Sequence, residues 1–221
     1  LNFFNYFKYN ILNIVLGVRL ILKFNNIKQF YKKRHNRFGK SSKAVGWGSP
    51  KKQHLRFQAL FNNFDENKLK KESTVDFGCG LGHLLQWLKK RKLEKNYVGV
   101  EIVEDFLIEC RNTYPNFKFY DTSNFLELNK KFSFIVANGA FTLSWGENHR
   151  KKVKKMIKTL FKKSRYGFSF TMLNSFYPKI KRKYYHFNPF QIGEFCQSLT
   201  NDIIIDSSYL PEDFTITLLK K

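Results

Sequence analysis

Apolar positions change spacing many times along the chain, and each change marks an element. From Lys51 to Phe61 they recur at helical spacing, with Leu55, Ala59 and Leu60 on one face. Ser73 to Phe77 is a short buried strand that breaks into glycines, and a helix is predicted from about His83 to Arg91. Strands follow at Tyr97 to Ile102, Phe117 to Tyr120, Phe132 to Ala137 and Gly167 to Met172. The intervening helices are predicted at about Glu104 to Asn112 and Asn148 to Lys163, and another covers Pro189 to Leu199. Asp202 to Ser207 and Phe214 to Leu219 close the chain as two strands that can form a hairpin around Leu210-Pro211-Glu212-Asp213. Alternating strands and helices require a mostly parallel sheet covered on both faces. The expectation is an α/β, Rossmann-like, doubly wound sheet of seven strands, with an antiparallel C-terminal strand.

The chain before this region reads differently. Leu1 to Phe24 is rich in Phe, Ile, Leu and Val, and a basic run follows from Lys28 to Lys43. Residues 1–44 are therefore read as a basic and apolar helical extension, and 45–221 as the domain. The stretch Ile11 to Leu22 is broken by Asn13, Gly17 and Arg19, too short and interrupted for a membrane span. It also lacks the basic start and cleavage site of a secretory signal. On a helix, Asn10, Asn13, Gly17 and Arg19 or Lys23 form a narrow polar stripe. Such a helix docks on the domain or on a second copy, or lies in a membrane interface beside acidic lipids; disorder is the third reading. Oligomeric state stays open.

Composition adds two constraints. The 221 residues suffice for one core without disulfides, and the three cysteines, Cys79, Cys110 and Cys196, form no CxxC pair. They are expected as small buried side chains in a reducing compartment, so a cytoplasmic protein with no metal site is expected, with peripheral membrane contact through residues 1–43 as an option. The net charge of +23 would draw any anionic partner, but Lys, Asn, Ile, Phe and Tyr are enriched together, a mark of AT-rich coding.

Chemistry concentrates at strand ends. Val75-Asp76-Phe77-Gly78-Cys79-Gly80-Leu81-Gly82-His83 joins a strand to a helix through Gly78, Gly80 and Gly82, which let backbone approach a ligand. The spacing is G-x-G-x-G rather than the dinucleotide fingerprint G-x-G-x-x-G, which counts against a nicotinamide-dependent oxidoreductase. Asp76 would repel a pyrophosphate and suits a cationic ligand. Glu101 ends the next strand, where a carboxylate can accept paired ribose hydroxyls. Asp121 follows the third strand as an acceptor for an adenine amino group, and Ala137-Asn138-Gly139-Ala140 ends the fourth.

These four elements in this order resemble the class I S-adenosylmethionine-dependent methyltransferases, over roughly Ser73 to the C-terminus. The resemblance implies that the Gly78–Gly82 loop, with Cys79 in it, passes under the methionine part of S-adenosylmethionine while Asp76 organises that loop and the amino group. Glu101 would hold the ribose, Ile102 pack on the adenine, Asp121 bind its amino group, and Asn138 sit near the reacting methyl. Val45-Gly46-Trp47-Gly48-Ser49 before Leu55-Arg56-Phe57, and the ending Tyr209 to Thr215, look like a bacterial group of these enzymes. There Trp47 and Arg56 would close the pocket, Arg56 by pairing with the cofactor carboxylate.

No catalytic residue can be assigned from the sequence. A base is needed only for an acceptor that must lose a proton; the candidates are Glu147, His149, Tyr184, Tyr185, His186 and Tyr209, with the Tyr184-Tyr185-His186-Phe187 cluster foremost. The absence of an N/D-P-P-aromatic tetrapeptide at Ala137 to Ala140 disfavours methylation of exocyclic base amines, and the absence of a Pro-Cys pair disfavours cytosine C5. The expected acceptor is a small molecule or a glycan precursor. RNA or protein methylation through the basic N-terminal segment is the alternative, and a non-catalytic cofactor- or nucleic-acid-binding protein is the alternative of another class.

Overall fold

The computed structural model describes residues 26–178 and 184–220. The segment Ile11 to Leu22, with its docking and membrane readings, lies outside the described residues. The description opens in a helix, α1, spanning 26–38. The order is then α2 (Pro50–Phe61), α3 (Glu66–Lys71), β1 (Ser73–Phe77), α4 (His83–Lys89), β2 (Asn96–Glu101), α5 (Glu104–Thr113), β3 (Lys118–Asp121), α6 (Thr122–Glu127) and β4 (Phe132–Asn138). After these come α7 (His149–Lys163), β5 (Ser164–Asn174), β6 (His186–Phe187), α8 (Pro189–Gln197), β7 (Ile203–Asp206) and β8 (Asp213–Leu219).

The sheet runs β3-β2-β1-β4-β5-β8-β7, with β6 paired to β5 off that path. All pairings are parallel except those of β8, which is antiparallel to both β5 and β7. The expected seven strands become eight because of β6. Two residues are too few to show a period along the chain. The short helices α3 and α6 escaped notice for the same reason.

Strand alternation divides the core into two layers. Val75 and Phe77 of β1 and Phe168, Phe170 and Met172 of β5 pack in the layer that includes Val153, Ile157 and Leu160 of α7. Tyr97, Phe134 and Val136 face the other way, onto Phe57 and Leu60 of α2 and Leu84 and Leu88 of α4. The three cysteines are all buried and unpaired, in keeping with their expected packing role. No described helix is long and apolar enough to cross a membrane.

Helix ends are capped by short polar side chains. Ser49 accepts from Lys52 N with Pro50 at the first turn of α2, and Asn188 accepts from Phe190 N and Gln191 N with Pro189 at the first turn of α8. Gly99 marks close packing inside β2: a Cβ there would lie 2.4 Å from Phe119 Cδ1. We expect Gly99→Ala to destabilise the fold by roughly 1–3 kcal/mol through overpacking, read as a shift of the urea midpoint at constant slope.

Candidate functional site

In an open parallel sheet, ligands bind beyond the carboxyl ends of the strands where the strand order reverses. Here that point lies between β1 and β4. A cavity of about 470 Å³ opens there, lined by the ends of β1, β2 and β4, by α1 and α2, and by the loops around residues 45–48 and 139–145. Its size lies within the roughly 300–1,000 Å³ usual for small-molecule sites.

The floor is the glycine turn after β1. Gly78 N and Cys79 N both donate to Val100 O, at 2.8 and 3.0 Å, so the turn hangs from the end of β2. Gly80 N donates to Glu101 Oε2 at 2.8 Å, and Glu101 Oε1 accepts from Ile102 N at 2.7 Å and Val103 N at 3.0 Å. Burial pushes the Glu101 carboxyl above its ordinary range, and these three amides oppose the shift. Gly80 has φ +56°, and a Cβ on it would lie 2.8 Å from Val45 Cγ1.

Asp76 sits beneath this turn, 2% exposed, and accepts a hydrogen bond from Tyr97 Oη at 2.9 Å. Burial raises its pKa to about 7, against the lowering effect of the Tyr97 bond. A carboxyl held near neutrality beside a cavity is a candidate functional group.

The lid is Trp47. Its ring packs so closely on the loop after β4 that a Cβ on Gly139 would lie 2.5 Å from Cη2. The Arg56 guanidinium lies 4.5 Å from the Trp47 ring centre and is ion-paired with Asp213 of β8, both charged groups being buried. Arg56 Nη1 also donates to Lys52 O at 3.2 Å, and Lys52 is ion-paired with Glu212. Arg56 was expected to await a cofactor carboxylate; the fold supplies an internal one, Asp213, from a strand 157 positions away in sequence.

Trp47, Arg56, Asp76, Gly78, Cys79, Gly80, Glu101, Ile102, Asn138 and His186 all line the cavity. Gly82 does not. It caps α4 in the left-handed region, φ +75°, where a Cβ would meet Tyr114 Cε2 at 2.7 Å, so it seats the helix against α5. Asp121 also stands outside the lining, because its Oδ1 caps α6 by accepting from Ser123 N at 2.8 Å; Thr122 lines the cavity in its place.

His149 and Tyr185 are placed away from the cavity, which corrects their standing as candidate bases. His149 is 2% exposed, its Nδ1 accepts from Trp145 N at 2.9 Å, and its ring centre lies 3.9 Å from that of Tyr185. Burial lowers its pKa to about 4, leaving a neutral packing group. Glu147 and Tyr209 are likewise outside the lining, and the Tyr209 hydroxyl accepts from Thr215 Oγ1 at 2.9 Å.

Several lining residues had no place in the sequence reading. Ile27, Phe30 and Tyr31 of α1 form one wall, although they fall in the segment read as an extension. Ile27, Tyr31 and Phe38 recur at helical spacing inside the basic run, and that periodicity was the available signal. Gln53 and His83 are a second case: Gln53 Nε2 donates to His83 Nδ1 at 3.2 Å, and His83 Nε2 donates to Lys40 O at 2.9 Å.

Known proteins share this fold. Residues 74–163 match the family model described as a methyltransferase domain. The plantazolicin methyltransferase BpumL, solved with a pentazolic desmethylPZN analog and SAH, is 14% identical and superposes with a TM-score of 0.63 over 93% of this chain and 98% of its own. Magnesium protoporphyrin IX methyltransferase (ChlM) from Synechocystis PCC 6803, bound to SAH, is 13% identical with a TM-score of 0.56, over 80% and 85%. CalS10, an amino pentose methyltransferase from Micromonospora echinaspora with SAM bound, is 10% identical with a TM-score of 0.55, over 77% and 92%. At these identities the structures speak for the fold. No curated protein sequence matches the chain. The family match gives residues 74–163 a methyltransferase domain, and the solved structures share the fold that carries it.

Proposed function

We propose that the chain is a cytoplasmic methyltransferase that holds S-adenosylmethionine over the Gly78–Gly80 turn and a small, largely apolar acceptor in the half of the cavity walled by α1 and β6. The observation that carries this reading is one continuous cavity with two chemistries. Its β1/β2 end presents Asp76, Glu101 and bare backbone, while Ile27, Phe30, Leu143 and Leu173 give other parts of its lining an apolar character. A polyhydroxylated sugar would strand hydroxyls against those apolar walls, so the lining favours a small molecule over a glycan precursor.

The residues present fit the cofactor. Gly78 packs closely against the loop after β4, since a Cβ on it would lie 3.1 Å from Ala140 Cβ. Asp76 offers negative charge for an ammonium, and Glu101 retains acceptor capacity beyond its three amide bonds. S-adenosylmethionine supplies an electrophilic methyl on a sulfonium. The work left to the protein is alignment and the exclusion of water, which Trp47 and α1 perform as walls.

The test is calorimetric titration with S-adenosylhomocysteine. The wild type is expected to bind at micromolar affinity. Gly80→Val, which forces a branched side chain into a left-handed position against Val45, and Glu101→Ala, which frees three buried amides, should each weaken binding by about tenfold or more. Wild-type affinity in both folded variants would remove the cofactor from this turn.

One observation favours a second reading, RNA as acceptor. Helix α7 carries no acidic residue, and Arg150, Lys151, Lys155, Lys158 and Lys162 are exposed along it. RNA binding through this face would fall steeply with salt, with a log–log slope of several. A flat salt response would set that reading aside.

A further inference from the structure

We propose that His186 is the general base of this enzyme and that the methylated atom is a hydroxyl oxygen on an apolar, phenol-like acceptor. The inference rests on the cofactor placement argued above.

It begins with strand register. β4 ends at Asn138, opposite Thr171 of β5. Two residues further along β5, Leu173 pairs with Asp213 of β8 on one edge and with His186 of β6 on the other. β6 therefore occupies the β4 edge of β5, in line with β4 and just beyond its end. His186 stands two rungs past Asn138, about 6.6 Å along the strand direction. Even spacing in register puts the two residues on the same face of the sheet, and both line the cavity. Tyr185 N donates to Thr142 O at 2.7 Å and Ser175 N to Phe187 O at 2.9 Å, which fastens β6 in that position.

The ring is also oriented. His186 Nδ1 lies 3.0 Å from Tyr184 O. A carbonyl can only accept, so Nδ1 carries the hydrogen and the neutral ring keeps its lone pair on Nε2. Four other ionisable groups of the lining already hold partners within the protein. His83 uses both ring nitrogens, Glu101 accepts three amides, Asp76 accepts the Tyr97 hydroxyl, and Glu212 is paired with Lys52. His186 Nε2 offers a lone pair that can take a proton at the acceptor end.

A base there is useful only for an acceptor that sheds a proton on methylation, and the apolar walls select an apolar carrier for it. In the transfer the acceptor oxygen forms its bond to the methyl carbon as the carbon–sulfur bond of the donor breaks. The electron pair of that bond stays with sulfur. The hydroxyl proton passes to Nε2 and leaves later to solvent.

The experiment compares the full-length wild type with His186→Gln on two apolar phenols, using labelled S-adenosylmethionine. Naphthol is protonated near neutral pH, whereas pentafluorophenol is already ionised there. The wild type should methylate both on oxygen. His186→Gln should lose about 100-fold or more in kcat on naphthol and less than about tenfold on pentafluorophenol, with affinity for S-adenosylhomocysteine unchanged. Equal losses on both phenols, or none on naphthol, would overturn the base assignment. A wild type that binds S-adenosylhomocysteine and methylates neither phenol would overturn the hydroxyl acceptor. Failure to bind S-adenosylhomocysteine would instead overturn the cofactor placement beneath it.

Discussion

Asp76→Asn is expected to make the protein more stable at about pH 8 and a poorer binder of S-adenosylmethionine at the same time. The Asp76 carboxyl has its pKa raised from 3.8 to about 7 by burial. A carboxyl raised in the folded state contributes stability fully present below its unfolded pKa and lost as pH rises through the folded one. At 1.36 kcal/mol for each pH unit between the two values, the ionised group costs about 4 kcal/mol at pH 8 and about half of that near pH 5.5. Asn keeps the shape and an oxygen for the Tyr97 hydroxyl but adds an amide that needs a buried acceptor, which returns roughly 1–3 kcal/mol. The net gain is about 2 kcal/mol at pH 8, a melting temperature some 4–8 °C higher, and near zero at pH 5.5. Urea unfolding at the two pH values reads this directly. Loss of the negative charge facing a cationic ligand should weaken S-adenosylmethionine by about tenfold or more. If Asp76→Asn destabilised equally at both pH values, the carboxyl would be structural and its burial no reserve held for a ligand.

Such a trade would place Asp76 among residues retained for function against stability, and the site around it shows what the sequence made legible. The glycine turn, Glu101 and Asn138 could be assigned to strand ends because their order along the chain is their order around the site. The same logic found the antiparallel last strand from two apolar runs close in sequence. What escaped were features set by partners distant in the chain. Asp121 and Thr122 are neighbours, and only the start of α6 decides which of them faces the cavity. His149 and His186 looked alike as histidines among aromatics; one is sealed behind Trp145 and Tyr185 while the other continues the line of β4. The wall built from Ile27, Phe30 and Tyr31 was hidden by charge, since Lys28, Lys32 and Lys33 made their helix read as a basic tail.

Arg56→Ala should be the most destabilising of the substitutions considered, by roughly 3–5 kcal/mol, because it leaves the Asp213 carboxylate buried without its partner. Arg56 and Asp213 have side chains only 5% and 2% exposed. Even with Arg56 beside it, Asp213 has its pKa raised to about 6 by burial. The sign is that of Asp76, so the penalty should be larger at about pH 8 than near pH 5.5, where protonation relieves the stranded group. Trp47 loses its cationic neighbour as well, worth about 0.5–2 kcal/mol, and the lid over Gly139 is expected to loosen, weakening S-adenosylhomocysteine more than the stability loss alone would. Arg56→Met combined with Asp213→Leu removes both charges and should recover most of the stability, since a buried pair is often replaceable by apolar side chains of similar volume. It should not recover ligand affinity if the stacked guanidinium holds Trp47 in place. Urea unfolding of the single and double variants, with titration of each, separates the two roles. A double variant as unstable as Arg56→Ala would mean that the pair stabilises the fold by its own attraction, and the clamp on α2 and β8 would then be electrostatic rather than a means of positioning Trp47.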